Sequence, residues 1–144
     1  MKRFLTVLIL TVFAAGAAAA QPVIDINQGH LNPLPVATPP FIGAAPAEAQ
    51  TGAEIAAVVE ADLERSGLFR PINHTAFIEQ ITDLDLKPRF EDWRVINANA
   101  LLTGDVEMSS DARMRVSFRL WDVFGEQELL GLTFVTTPEN WRRV

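Results

Sequence analysis

Apolar and polar residues alternate most regularly in the last third of the chain. Met114, Val116, Phe118 and Leu120 fall on one side of a two-residue period, with Arg113, Arg115, Ser117 and Arg119 on the other. That is the period of a half-buried strand. Before it, Leu102, Val106 and Met108 oppose Thr103, Asp105 and Glu107; after it, Leu130, Leu132 and Phe134 oppose Thr133 and Val135. Turns fall at Ser109–Ala112 and at Val123–Glu126, which contains Gly125. Ala100–Thr137 is therefore predicted as a three-stranded meander whose single apolar face needs a cover on one side.

A helical period takes over further upstream. Ile55, Val58, Val59 and Leu63 form one stripe, Thr51-Gly52-Ala53-Glu54 reads as a capping box, and Arg65 suits a last turn. Gly67 is a ready C′ residue and Pro71 prevents continuation. At about 100° per residue, Asp62 lies roughly 20° from Ile55, inside the apolar stripe. Its expected role is structural, accepting from Ser66 or from loop amides to fix the helix. Leu34–Ile42 has strand-like apolar residues, but prolines at 33, 35, 39, 40 and 46 demote it to an edge or broken strand. Asn73–Trp93 reads as a connection with partial helix: a turn around Phe77, Ile78 and Ile81, a loop at Asp83–Lys87, and a second turn opened by Pro88 that holds Phe90 and Trp93. Helices on one face of a mixed, largely antiparallel sheet make the expected class α+β.

Both ends of the chain are distinctive. Lys2 and Arg3, the apolar run Phe4–Ala15 and Ala18-Ala19-Ala20 are the three parts of a secretory signal peptide cleaved after Ala20. The run is shorter than the roughly 20 residues of a membrane helix, and no span is expected in the mature chain. Removing 20 of the 144 residues leaves 124, one domain, and takes the formal charge from −6 to −8. An acidic surface argues against nucleic acid. With no cysteine, thiolate, iron–sulfur and zinc-thiolate chemistry are excluded, and the core alone must hold the fold. At the other end, Thr137-Pro138-Glu139-Asn140 starts a helix that stops within about two turns, too short to stand alone. Either it docks through Trp141 or the chain is a piece of something longer, and the second reading is preferred.

Candidate chemistry is sparse. His30 and His74 are the only histidines and have no ligand or base partners at useful spacing, so both read as solvated loop residues. Asp83-x-Asp85 has neither the glycine nor the final glutamate of a calcium loop. No G-x-S-x-G elbow supports a nucleophile. Arg113, Arg115 and Arg119 suggest cross-strand pairing with Asp105 and Glu107 rather than an anion site. Neither a catalytic set nor a metal or cofactor is expected.

The stretch Asp62-Leu63-Glu64-Arg65-Ser66-Gly67-Leu68-Phe69 after a capped helix, then Trp93, Asn97–Gly104 (NANALLTG) and hairpins leading to Trp141-Arg142-Arg143, resembles the N-terminal domain of the TolB family over essentially all of Gln21–Val144. The resemblance implies an adaptor of the bacterial Tol-Pal envelope complex, in the periplasm, and not an enzyme. In that family the mature N-terminal segment binds the C-terminal domain of TolA, and a C-terminal β-propeller binds Pal. Carried over, residues 21–32 form a mobile partner-binding segment with Val23, Ile24, Asp25 and Ile26 as contacts, and 33–144 the α+β domain. A short β-favouring run before prolines suits addition to a partner's sheet edge. No propeller repeat is present here, so Pal binding would require a propeller supplied elsewhere. The family's second helix should continue past Val144. Without it, apolar residues including Phe118 and Leu132 are left uncovered, which predicts marginal stability or oligomerisation. The implied role is support of outer-membrane integrity and invagination at division. Competing readings are an unrelated exported α+β module of envelope or flagellar assembly, and a small enzyme using Asp62 or the arginine face.

Overall fold

The computed structural model describes residues 32–143. The expected signal peptide and the segment bearing Val23, Ile24, Asp25, Ile26 and His30 lie outside the described residues. The elements in chain order are β1 (Leu34–Ala37), β2 (Ile42–Gly43), α1 (Pro46–Arg65), β3 (Phe69–Pro71), a 3-10 turn (His74–Ala76), α2 (Phe90–Val95), β4 (Ala100–Met108), β5 (Met114–Asp122), β6 (Gln127–Thr136) and a 3-10 turn at Trp141–Arg143. One mixed sheet has the order β3-β1-β4-β5-β6, with β2 also paired to β4. The class is α+β, as the patterning predicts.

The meander forms where the alternation is strongest. β5 pairs antiparallel with both β4 and β6, with Leu102 opposite Leu120, Val106 opposite Val116, and Phe118 opposite Leu132. A bulge between Leu120 and Trp121 shifts the register at the start of β6. Upstream, the chain is broken between β1 and β2 as the prolines require, but β1 is not an edge. It lies between β3 and β4, parallel to both. Its ladder avoids the missing donors: the Leu34 amide donates to the Leu68 carbonyl at 2.8 Å, while Pro35 needs only its carbonyl, which accepts from Asn99 at 2.9 Å.

The helix begins earlier than its apolar stripe. Ala45 is the N-cap, Pro46 the first helical residue, and the Ala45 amide donates to Glu48 Oε2 at 2.8 Å. The capping box read at Thr51 and Glu54 is therefore corrected. Thr51 sits inside the helix, where its hydroxyl donates to the Ala47 carbonyl at 2.9 Å, and Glu54 accepts from the Gln50 side chain. Pro46–Gln50 carries only small or polar residues, so periodicity could not mark this first turn. Gly67 ends the helix at φ 72°, a left-handed conformation that a Cβ disfavours.

Leu101 and Leu102, adjacent on β4, point to opposite faces and anchor two cores. Leu102, Val106, Met114 and Val116 pack with Phe41 and with Ile55 and Ala56 of α1. This helix is the expected cover. Phe41, just before β2, is held tightly between helix and sheet: a Cβ on Gly104 of β4 would lie 2.6 Å from its ring, and one on Gly52 of α1 would lie 2.5 Å from its carbonyl oxygen. The cover is not, as expected, on one side only, because Leu101 and Trp121 put apolar side chains on the other face, where they and Val123 pack with Ala37, Ala98 and with Phe90 and Trp93 of α2. Trp93 is fully buried, its Nε1 donates to Glu79 Oε2 at 2.6 Å, and Phe77 meets it edge-on at 5.2 Å. The predicted second turn at Phe90 and Trp93 thus forms. The Phe77–Ile81 turn does not; the 3-10 turn comes three residues earlier.

Candidate functional site

The sheet is covered unevenly. α1 lies over the part of the face that carries Leu102, Val106, Met114 and Val116. Farther out on the same face, Phe118 and Leu120 are half-buried, and Leu130, Leu132 and Phe134 are 43%, 42% and 40% exposed. Phe118 and Phe134 stack at 5.8 Å across the strand pair. This is the uncovered apolar face that Phe118 and Leu132 predict. A groove of about 270 Å³ runs between α1 and these strands, with Val58, Val59, Phe118, Phe134 and Trp141 among its walls. Trp141 is half-buried against the core, with the Arg142 guanidinium over its ring at 4.8 Å and 3.6 Å from Glu54. The C-terminal segment therefore docks through Trp141, but as a 3-10 turn rather than the α-helix start that Thr137–Asn140 suggests.

Asp62 stands at the rim of this groove. It is exposed and bonds Arg65 at 2.5 Å, while Ser66 donates to the Leu63 carbonyl instead. The expected bond from Ser66 is thus corrected, because the stripe at that turn overhangs the uncovered sheet and the carboxylate stays in water. Charges cluster on the opposite face of β4 and β5. Arg115 pairs with Glu107 directly across the strands at 3.3 Å, as expected. Arg119 turns instead to Asp85 at 2.5 Å and Glu128 at 3.6 Å, and Arg113 to Asp111 at 3.5 Å. Asp105 faces Ser117, not an arginine, and its Oδ1 is buried without a hydrogen-bond partner among the described residues. Desolvation pushes the Asp105 carboxyl above the usual aspartate range, against hydrogen bonding from Ser117, and Glu107 and Asp85 add to the rise. Glu48 moves the other way. Its carboxylate accepts from the Met108 amide and then the Ala45 amide, each at 2.8 Å, and these bonds hold it below the usual glutamate range.

His74 is not a free loop residue. Its Nε2 lies 2.6 Å from Glu60 Oε2 on α1 and its ring stacks on Phe77 at 5.0 Å. Only proximity in the fold joins Glu60 to His74 and Glu79 to Trp93, 14 positions apart in each case. The amide of Asp85 bonds Asp83 Oδ1 at 2.8 Å, a turn closed by its own side chain. Among the described residues no group of three or more histidine, aspartate or glutamate side chains is placed to hold a metal, and no helix is long and apolar enough to cross a membrane.

A family model described as the TolB amino-terminal domain matches residues 22–129, three quarters of the chain. The chain belongs to the TolB amino-terminal domain family. The match takes in Val23–Ile26, all of α1, and the sheet as far as the start of β6. The Tol-Pal system protein TolB of Paramagnetospirillum magneticum is 50% identical over all 144 residues, which make up 32% of its length. The chain thus spans about a third of that curated relative. TolB from Acinetobacter baumannii superposes with a TM-score of 0.55 at 23% identity, covering 73% of this chain and 23% of that one. The lipoprotein GNA1162 of Neisseria meningitidis gives 0.56 at 16% identity, covering 73% of this chain and 81% of that one. At such identities these likenesses speak for the fold alone.

Proposed function

We propose that this TolB-type domain is a periplasmic protein–protein adaptor of the Tol-Pal system and not an enzyme. On this reading the first 20 residues direct export and are cleaved after Ala20. Residues 21–32 engage the C-terminal domain of TolA through Val23, Ile24, Asp25 and Ile26. Pal is engaged only through a propeller lying outside this sequence. The role is to maintain outer-membrane integrity and invagination during division. The observation that carries the reading is the 50% identity to a Tol-Pal TolB along the whole chain, joined to a family match that begins at residue 22. The side chains weighed for an enzymatic reading have other partners: Asp62 is solvated beside Arg65, and Arg113, Arg115 and Arg119 each pair with a carboxylate. Titration of isotope-labelled Gln21–Val144 with the TolA C-terminal domain tests it. Chemical shifts that change at Val23–Asn32 while the domain stays dispersed are expected. A folded domain with no change in that segment would overturn TolA binding and favour an unrelated exported module.

A further inference from the structure

The outermost strand of the sheet has a feature that the adaptor role does not use. β6 is last in the strand order, so one row of its amides and carbonyls faces outward. Leu129–Thr136 contains no charged residue and no proline, the devices that normally discourage pairing at an edge. Its exposed apolar residues do not lie on one face only. Leu130, Leu132 and Phe134 share the face of α1, while Val135, 58% exposed, points the other way. A helix laid on the sheet would reach the first three and miss Val135. A strand added alongside sets its own side chains next to those of β6 on both faces.

We propose that the occupant of this edge is β6 of a second copy, paired antiparallel about Leu132. An antiparallel pair sets residues of the same face opposite each other, so a two-fold axis must pass beside a residue and not between two. Centred on Leu132, the pairing places Leu130 opposite Phe134, Gly131 opposite Thr133 and Leu132 opposite its own copy. Glu128 lies beyond the bulge at Leu129, on the face of Arg119, and stays outside this pairing. Centred on Thr133, it would keep Leu132 against Phe134 but set Leu130 against Thr136 and Gly131 against Val135, leaving both apolar residues without an apolar partner. The segment is thus a palindrome in polarity about Leu132, as a self-complementary strand requires. Charge favours the same surface: the chain carries a formal −6, so copies repel elsewhere, but this edge brings no like charges together.

Sedimentation of the chain across micromolar concentrations tests the pairing, with Leu132→Lys and Leu132→Glu as variants. The unmodified chain is expected to reach twice the mass of one chain. Each variant alone sets like charges face to face and raises the dissociation constant by about tenfold or more. Mixing the two restores the dimer, because position 132 meets position 132. A monomer up to about 100 μM, or a dimer indifferent to both substitutions, would overturn the proposal. Hydrogen exchange on the unmodified chain gives a readout that needs no variant. The outward amides of β6 are expected to slow as concentration rises, and exchange independent of concentration would count against the pair.

Discussion

At the scale of single residues, two carboxylates pull stability in opposite directions with pH. Glu48 is held below its usual range by the Met108 and Ala45 amides, so the folded chain binds its proton less tightly than the unfolded one. Its contribution is fully present above the unfolded value of about 4.3 and is lost as pH falls through the folded value. Asp105 is raised by burial, so the folded chain binds that proton more tightly. Its ionisation costs stability above the folded value, and the cost disappears below an unfolded value of about 3.9. Glu48→Gln is therefore expected to lower Tm at pH 7, and Asp105→Asn to raise it, since a neutral amide is cheaper to desolvate than a carboxylate. Both differences should close on acidification, as followed by thermal melts from pH 7 to 3. An Asp105→Asn melt below the parent at pH 7 would mean that the unpaired amide costs more than the charge.

At the scale of elements, the start of α1 offers the sharpest test. If Thr51 capped the helix, Thr51→Ala would cost about 1 kcal/mol. Lying inside the helix with its hydroxyl bonded back to Ala47, Thr51 gives way to a better helix former. The expected result is a gain of a few tenths of a kcal/mol in denaturant unfolding. The same contrast explains what the sequence made legible. β4, β5 and β6 were readable because their alternation is local, and the stop at Gly67 because left-handed backbone has a residue signature. β3 was not readable: Phe69–Pro71 is three residues long and exists only because β1 lies beside it. The first turn of α1 was hidden by its lack of apolar residues. The prolines argue for an edge or broken strand; the break is there, but Pro35 offers a neighbour only its carbonyl, so β1 sits inside the sheet. Of the candidate surface, the uncovered Phe118 and Leu132 were legible from the face they share. The contacts His74–Glu60 and Arg119–Asp85 were not, since each joins segments that only the fold brings together.

At the scale of the whole molecule, the sheet is protected in a gradient. β4 has paired neighbours on both sides, and Leu101, Leu102 and Thr103 put buried side chains on both of its faces. β5 is also paired on both sides but carries the half-buried Phe118 and Leu120. β6 is bonded along one edge only and is exposed along almost its whole length. Local opening follows such differences, because an edge strand with few buried contacts separates at less free energy than a central one. Amide hydrogen exchange, measured at a dilution where copies of the chain do not meet, should therefore rank protection as β4 above β5 above β6. Among the amides of β6, those turned toward β5 should exchange more slowly than those turned outward. Equal protection of β4 and β6 at that dilution would show that the apolar face is covered by something the described residues do not include. A steep gradient would mean that the domain keeps a rigid centre around Trp93 and Trp121 while presenting a surface that can change partners without unfolding it.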